Sequence, residues 1–459
     1  MKVLNQKGTL RGEIRVPGDK SISHRSIMFG SLAQGRTEVS GFLTSADCLA
    51  TMDCFRRMGV HIEEDPADPT HLFIDGNGLR GLSPETDPVT LYSGNSGTTT
   101  RILSGILAAQ RFTSVIGGDD SVNSRPMKRI MDPLSRMGAE IESIKGNNCA
   151  PLQIRGRQLK GIVYESPVAS AQVKSAIMCA GLYADGPTTV IEPVRSRDHS
   201  ERMLRAFGAV VEDQIDPQTG RNTVTVQPCR ELHAHAVTVP GDISSAAYFI
   251  AAGLIVPGSE ILIRGVGINP TRDGILRVAA NMGADITILN RSNTEEPYAD
   301  LLVKSSSLHG CEIGGAVIPS LIDELPVIAV MAAAAEGTTV IRDAAELRVK
   351  ESDRIDAVVS NLQAMGVNVT AREDGMVIEG GSALQGAKIR TYNDHRIAMS
   401  FAVAALIAQG DTVLDEEGCV NISYPAFFGD LEKLIANRSS IDLQRSNKAN
   451  KSRRMQLLT

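Results

Sequence analysis

Polar side chains suited to anion binding collect at the starts of predicted helices in this sequence. They directly precede apolar stretches with helical spacing, at residues 20–21, 95–97, 170–172, 323–324, 350–354 and 394–396. A helix N-terminus exposes unpaired N–H groups and carries a partial positive charge. Side chains placed there can bind phosphate or carboxylate groups.

Several cations stand in or beside these segments, although the 459-residue chain has a formal net charge of −6. They are Lys20, Arg25, Arg125, Arg197, Lys350, Arg354 and Arg396. An Arg guanidinium matches two oxygens of a carboxylate or phosphate. The set predicts a site for a highly anionic small ligand, between two domains.

Each position also has a simpler interpretation. A Ser or Asp before a helix usually caps that helix. Lys350 and Glu351 can form a surface ion pair of little energetic value. The recurrence of these residues before many helices favours the binding site over a series of unrelated caps.

Other kinds of site are not indicated. The eight His residues include no HExxH pair, and no GxSxG or GxGxxG motif precedes a helix. We therefore expect no metal and no cofactor. Seven Cys residues without a CxxC pair indicate free thiols in a reducing compartment. Short apolar stretches and mild acidity predict a cytoplasmic protein that binds neither membranes nor nucleic acids.

The elements that must hold these side chains repeat six times. A phrase of the type Ala-Gln-Gly-x-Thr-x-Val recurs with its third position at 35, 111, 186, 258, 337 and 410. Between copies, an apolar helical stretch ends at a Gly and a strand with alternating polarity follows. Each unit of about 75 residues therefore contains two helices and several strands, and the fold class is α/β.

A larger duplication overlies the six units. The phrase VPGD occurs at 16–19 and again at 239–242. This predicts two similar domains of three units each. We expect a discontinuous first domain, 1–18 plus 242–437, that encloses a second domain, 19–241. A basic, disordered tail at 438–459 follows.

The motifs together resemble those of the 5-enolpyruvylshikimate-3-phosphate (EPSP) synthase family, in its class II branch. The matching stretches are PGDKSISHRS (17–26), GNSGTTTR (94–101), RPM (125–127), SAQVKSA (170–176), RDHSE (197–201), NPTR (269–272), LIDELP (321–326), RVKESDR (348–354) and NDHRIAMSF (393–401). The resemblance implies two domains, each of three βαβαββ units, in an inside-out α/β barrel.

The family's activity is transfer of the enolpyruvyl group of phosphoenolpyruvate to the 5-hydroxyl of 3-phosphoshikimate, with release of phosphate. The reaction is an addition followed by an elimination, and it uses no cofactor. It belongs to the shikimate pathway, which leads through chorismate to the aromatic amino acids. The resemblance also implies inhibition by glyphosate, and we expect a monomer.

The resemblance assigns roles to individual residues. Those implied for 3-phosphoshikimate are Lys20, Ser21, Arg25, Ser170, Ala171, Gln172, Arg197, Asp323 and Lys350. Those implied for phosphoenolpyruvate are Lys20, Asn95, Gly97, Arg125, Gln172, Arg354 and Arg396. The implied catalytic residues are Asp323, Glu351, Lys20 and Lys350, with Asp323 as the base for the attacking hydroxyl and Glu351 as the acid for the methylene carbon.

Two positions qualify this transfer of roles. Class I members carry a Lys where this chain has Ile422, so the role of that Lys has no evident holder here. Some class II members tolerate glyphosate through an Ala at the position of Gly97. This chain keeps the Gly, and we therefore expect inhibition competitive with phosphoenolpyruvate.

Two alternatives remain at this point. The first is a UDP-N-acetylglucosamine enolpyruvyl transferase, which shares the fold but has Lys-Asn in place of Lys20-Ser21 and a Cys where segment 111–127 has none. The second is a non-catalytic anion-binding protein, or a nucleic-acid binder that uses the basic tail.

Overall fold

The computed structural model describes residues 1–5 and 8–435. The predicted tail at 438–459 lies outside the described residues. The chain divides into two units. Unit 1 comprises Met1–Val16, Gly241–Ser292 and the residues from Tyr298 onward, and unit 2 comprises Pro17–Pro240 and Asn293–Pro297. The sequence-based boundaries were 18 and 242, and they left residues 293–297 in the first domain.

The α-helices of the described residues are α1 (Lys20–Leu32), α2 (Ala46–Arg57), α3 (Gly97–Leu107), α4 (Asp120–Ser124), α5 (Lys128–Arg136), α6 (Ala171–Gly181), α7 (His199–Ala206), α8 (Ile243–Ile255), α9 (Gly274–Asn281), α10 (Leu325–Ala334), α11 (Arg354–Ala364) and α12 (His395–Ala405). Residues 427–435 are helical as well. Short 3₁₀ helices lie at Gly315–Ser320, Ala345–Val349 and Gly418–Ile422.

The strands of the same residues are β1 (Lys2–Leu4), β2 (Arg11–Arg15), β3 (Ala33–Ser40), β4 (His61–Asp65), β5 (Asp68–Asn77), β6 (Val89–Tyr92), β7 (Thr113–Gly117), β8 (Glu140–Ser143), β9 (Leu152–Arg155), β10 (Val163–Glu165), β11 (Thr188–Glu192), β12 (Val211–Ile215), β13 (Asn222–Val226), β14 (Leu232–His233), β15 (Val237–Thr238), β16 (Glu260–Gly267), β17 (Asp285–Ser292), β18 (Tyr298–Lys304), β19 (Glu312–Ile313), β20 (Thr338–Ile341), β21 (Asn368–Arg372), β22 (Gly375–Glu379), β23 (Lys388–Ile389) and β24 (Thr412–Leu414).

The strands of the described residues form six small sheets, which correspond to the six predicted repeats. In β6-β7-β9-β8, for example, β6 and β7 are parallel, whereas β9 is antiparallel to both β7 and β8. The orders β10-β11-β13-β12 and β19-β20-β22-β21 follow the same pattern. The sixth sheet, β1-β24-β23, differs because β1, at residues 2–4, pairs antiparallel with β24.

Apolar helices form the centre of each unit. In unit 1, α8, α10 and α12 contact one another, and nearly every residue of α8 and α10 is buried. A helix that is apolar on all sides must be buried in this way. In unit 2, α3 packs on α6 so closely that a Cβ at Gly105 would lie 2.0 Å from the carbonyl oxygen of Ala176. The glycine is therefore required for this helix crossing.

The starts of the buried helices carry the polar residues noted in the sequence. The side chains of Asp19, Ser96, Ser170, Asp242 and Asp394 each accept a hydrogen bond from a backbone amide in the first turn of α1, α3, α6, α8 and α12, respectively. The interpretation of these residues as helix caps is thus correct. The residues next to these caps lie at helix N-termini, where backbone N–H groups can bind an anion.

Candidate active site

In unit 2, Lys20 is the first residue of α1 and is partly exposed. Its Nζ lies 3.2 Å from Oδ2 of Asp47, near the start of α2. A charge-assisted contact at this distance limits the Lys20 side chain to a few orientations. The structure therefore presents Lys20 as a fixed cation at a helix N-terminus.

Arg25, one turn further along α1, is almost completely buried. Its Nε donates to Oγ of Ser200 at 2.7 Å and its Nη2 donates to Oγ of Ser175 at 2.9 Å. Nη1 donates to the carbonyl oxygen of Ser21 at 2.9 Å. Burial lowers the pKa of Arg25. Because a guanidinium has five N–H donors, these three bonds orient it and leave two donors for an anionic ligand.

The loop before α3 is held by a second guanidinium. Nη2 of Arg125 donates to Oδ1 of Asn95 at 3.1 Å, while Nδ2 of Asn95 donates to Oδ2 of Asp119 at 2.8 Å. Gly97 is the first residue of α3. A Cβ at Gly97 would lie 3.2 Å from Nη1 of Arg125 and 3.2 Å from Nη1 of Arg101. Gly97 therefore lies close to two cationic groups.

Helix α6 is connected to this loop through Gln172. Its Oε1 accepts a hydrogen bond of 2.5 Å from Nη1 of Arg101, and its Nε2 donates to Oγ1 of Thr98 at 3.0 Å. Ser170 caps α6, and Ala171 is its first residue. Arg197 lies partly exposed in the segment that precedes α7.

In unit 1, Arg354 at the start of α11 is buried among carboxylates. Its Nε donates to Oδ2 of Asp394 at 2.8 Å, and its Nη2 donates to Oδ1 of Asp394 at 3.2 Å and to Oε2 of Glu351 at 2.6 Å. Burial by itself lowers the pKa of Arg354, but Glu351 and Asp394 outweigh burial and raise that pKa above its ordinary value. Arg354 is therefore a permanently charged group with a fixed orientation.

Asp323 joins the remaining predicted residues of unit 1. Its Oδ1 lies 3.4 Å from Nη1 of Arg354 and 3.8 Å from Nζ of Lys350, and its Oδ2 lies 3.9 Å from Nη2 of Arg396. Burial lowers the pKa of Arg396, but Asp323 and other anionic groups raise it well above its ordinary value. Three cations thus surround one carboxylate that is 15% exposed.

The structure brings together all five residues predicted in unit 1, which are Asp323, Lys350, Glu351, Arg354 and Arg396. In unit 2, Arg125 bonds Asn95, Arg101 bonds Gln172, and Gly97 lies near both guanidinium groups. Arg25 bonds the carbonyl oxygen of Ser21. Ile422, the position without the class I Lys, is the last residue of the 3₁₀ helix Gly418–Ile422.

Two further observations concern metal binding and membrane insertion. In the described part of the chain, no group of three or more His, Cys, Asp or Glu side chains is arranged to hold a metal ion. None of the helices found there is long and apolar enough to span a membrane.

The sequence as a whole matches known proteins. The family model described as EPSP synthase (3-phosphoshikimate 1-carboxyvinyltransferase) matches residues 4–431. The chain belongs to the EPSP synthase family. Relatives named 3-phosphoshikimate 1-carboxyvinyltransferase include a protein of Geobacter metallireducens, 56% identical over 93% of this chain and 97% of the relative. Another, from Brevibacillus brevis, is 52% identical over 94% of this chain and 99% of the relative.

Solved structures agree with the family assignment. The EPSP synthase of Acinetobacter baumannii is 44% identical, has a TM-score of 0.84, and is matched over 95% of this chain and 97% of that protein. The enolpyruvyl transferase NikO of Streptomyces tendae has a TM-score of 0.76 at 18% identity, over 94% of this chain and 96% of that protein. NikO supports the fold alone. The predicted fold and EPSP synthase family are confirmed, whereas the class II branch stays a prediction.

Sequence reasoning missed some residues that hold the EPSP synthase family's motifs in place. Arg101 contacts Gln172 and lies beside Gly97, although only its motif had been noted. Ser175 and Ser200 orient Arg25. Serine is a common residue type, and both residues lie far from Arg25 in the sequence. A detectable signal existed for Arg101, because an Arg in the first two turns of an apolar helix requires a partner when it is buried.

Proposed function

We propose that this chain transfers the enolpyruvyl group of phosphoenolpyruvate to the 5-hydroxyl of 3-phosphoshikimate and releases phosphate, by addition followed by elimination. The observation that carries the proposal is the arrangement of Lys350, Arg354 and Arg396 around the Asp323 carboxylate. Membership of the EPSP synthase family supports it, and it favours this acceptor over the UDP-sugar and non-catalytic alternatives.

Unit 2 supplies the groups that we assign to the acceptor. The start of α6 offers the Ser170 hydroxyl, the Ala171 amide and the Gln172 side chain for the 3-phosphate, and Arg197 adds a cation. Ser21 and Arg25 suit the shikimate ring and its carboxylate, because Arg25 keeps two N–H donors in a fixed orientation. The family resemblance also assigns Asp323 and Lys350 to the acceptor.

Cations in both units suit the second substrate. We assign Lys20, Asn95, Gly97, Arg125 and Gln172 to phosphoenolpyruvate in unit 2. Arg354 and Arg396 take this role in unit 1. Fixed positive groups stabilise the charge that persists through the tetrahedral adduct, and they require no reorganisation as the reaction proceeds.

Proton movements follow from the carboxylates. As the 5-hydroxyl oxygen bonds to C2 of phosphoenolpyruvate, Asp323 accepts the hydroxyl proton and Glu351 delivers a proton to C3. Phosphate then leaves C2 and takes up the proton that Asp323 had accepted, while C3 returns a proton to Glu351 and the double bond is restored. Lys20 and Lys350 offset the negative charge on the transferring oxygens.

The pairing of Glu351 with Arg354 bears on its role as an acid. A hydrogen bond of 2.6 Å to a guanidinium favours the ionised carboxylate. A substrate carboxylate on Arg354 would compete for the same donors and so favour a proton on Glu351. Substrate binding would thereby prepare the acid.

The remaining parts of the proposal concern inhibition, cellular location and assembly. We expect glyphosate to compete with phosphoenolpyruvate, because Gly97 leaves space beside Arg101 and Arg125. We also propose a monomer, and a location in the cytoplasm fits the seven free thiols. We also propose that 19–241 and 1–18 plus 242–437 are the two folding domains.

The test is phosphate release from phosphoenolpyruvate with 3-phosphoshikimate present, and with each substrate omitted. We expect release only with both substrates, together with the enolpyruvyl ether in the product spectrum. Asp323→Asn should lower kcat by at least about 10²-fold, whereas Asp343→Asn, at an exposed ion pair of the same unit, should leave kcat unchanged. A folded parent protein that releases no phosphate above background would contradict the proposal.

A further inference from the structure

Unit 2 contains a fully buried ionic cluster outside the residues assigned above. Nζ of Lys174, in α6, lies 2.8 Å from Oε2 of Glu192, at the end of β11, and 2.7 Å from Oε1 of Glu201, in the first turn of α7. All three side chains are at most 2% exposed. The third N–H of Lys174 reaches the carbonyl oxygen of Ser196 at 3.5 Å. The ammonium therefore has a partner for each of its three donors.

Glu192 connects two segments of the proposed phosphate site. Its Oε1 accepts hydrogen bonds from the Ser170 amide at 3.1 Å and from Oγ of Ser196 at 2.6 Å. Its Oε2 accepts from the Ser196 amide at 3.4 Å, in addition to Lys174. One carboxylate thus bonds the capping residue of α6 and the residue immediately before Arg197.

The charge of the cluster indicates what kind of role it has. With both glutamates ionised, the cluster has a net charge of −1, which would repel a phosphate. Burial raises the pKa of Glu201, whereas Lys174 acts in the opposite direction. Attraction of an anion is therefore not its contribution. Its hydrogen bonds fix backbone and side-chain positions, and such bonds to a charged group are stronger than neutral ones.

We propose that Glu192 is a positioning residue for recognition of the acceptor's 3-phosphate. It fixes Ser170 and Ser196, and this placement allows Ser170, Ala171 and Arg197 to contact the same phosphate group. The inference rests on the proposed function. Lys174 is the counterion that permits a carboxylate at this buried point. Burying a charge without such a partner is costly.

Variants can separate this role from general stability. Glu192→Leu removes the acceptor and leaves Lys174 paired with Glu201 alone. Glu192→Gln keeps an amide oxygen that can accept from Ser170 and Ser196, so it should restore part of the function. Ser196→Ala removes a single hydrogen bond and tests the same link if Glu192→Leu does not fold. Val190→Ala, on the same strand and fully buried, is the matched control for lost packing.

The experiment is calorimetric binding of 3-phosphoshikimate and of shikimate, which lacks the phosphate. Glu192→Leu should raise the Kd for 3-phosphoshikimate at least tenfold, Ser196→Ala should raise it several-fold, and Glu192→Gln should fall between Glu192→Leu and the parent. The Kd for shikimate should stay within twofold in all of them. Val190→Ala should lower the Tm without changing either Kd by more than twofold.

The results that would overturn the inference are distinct from failure of the proposed function. If both ligands weaken alike, Glu192 acts on the whole site and is not specific to the phosphate. If neither ligand weakens in the folded variants, Glu192 has no positioning role. A parent protein that neither binds nor turns over 3-phosphoshikimate would overturn the proposed function together with the inference.

Discussion

The replacement Asp394→Asn tests whether a buried carboxylate holds Arg354 in position. Asp394 is fully buried, caps α12 and bonds Arg354 through both oxygens, at 2.8 and 3.2 Å. Asn caps helices as well as Asp does, so the replacement preserves the cap and removes the charge. Its effects can then be assigned to the ion pair.

Asp394→Asn should lower the free energy of unfolding and raise the KM for phosphoenolpyruvate. Removing one partner of a buried ion pair costs about 3–5 kcal/mol. Arg354 keeps Glu351 at 2.6 Å and Asp323 at 3.4 Å, so the cost should lie at the lower end, about 3 kcal/mol. A guanidinium that loses its bidentate partner also loses its fixed orientation. We therefore expect the KM for phosphoenolpyruvate to rise about tenfold, which corresponds to about 1.4 kcal/mol.

The matched control is Asp353→Asn. Asp353 also caps a helix, α11, and also pairs with an arginine, Arg348 at 2.8 Å, but its side chain is 35% exposed. Exposed pairs contribute about 0.2–1 kcal/mol, so the control should lose at most about 1 kcal/mol and change the KM by less than twofold. Urea unfolding and steady-state rates measure both quantities. Equal losses of stability in the two variants would refute the reasoning.

The other predictions concern acid stability, the glyphosate contact, helix packing and the tail. Arg354 outweighs burial and lowers the pKa of Asp394, so this carboxylate stabilises the fold fully above its unfolded pKa of about 3.9. That stability is lost as the pH falls through the lower folded pKa, and urea midpoints against pH should show a shallower acid decline in Asp394→Asn. Gly97→Ala should raise the Ki of glyphosate about tenfold or more, because the new methyl group lies 3.2 Å from two guanidinium groups; an unchanged Ki would disprove this. Gly105→Ala should destabilise the protein by more than about 3 kcal/mol in urea unfolding, because its Cβ would lie 2.0 Å from the carbonyl oxygen of Ala176. Deletion of residues 445–459 should leave kcat and both KM values unchanged, and a deletion that lowers them would assign the tail a role.

The repeated architecture could be predicted because it is encoded locally. Each unit carries its own apolar helical spacing, a Gly at the end of the helix and alternating strand residues, and these patterns need no knowledge of distant contacts. The pairing of β1 with β24 could not be predicted in this way. Residues 2–4 and 412–414 meet only in the folded chain. The sequence of a short apolar strand does not specify which other strand it pairs with.

The site was predicted in part for the same reason. The residue types of the motifs identified Asp323, Arg354 and Arg396, but their mutual distances depend on three separate segments. The role of Glu192 was missed because a Glu at the end of a strand is common in type and only its burial makes it unusual. Lys174, by contrast, offered a signal, since a lone cation within the apolar helix α6 demands a buried counterion.

The antiparallel pair of β1 and β24 has a consequence for biosynthesis. Residues 2–4 emerge from the ribosome early and residues 412–414 emerge late. Strand β1 therefore has no partner strand during most of translation. Residues 17–240 form most of unit 2 as one continuous stretch, and this stretch can begin to fold while the rest is still being made, as domains commonly do. Unit 1 then completes its sixth sheet only after late segments emerge. The order of synthesis therefore favours unit 2 as the first folded part of the protein.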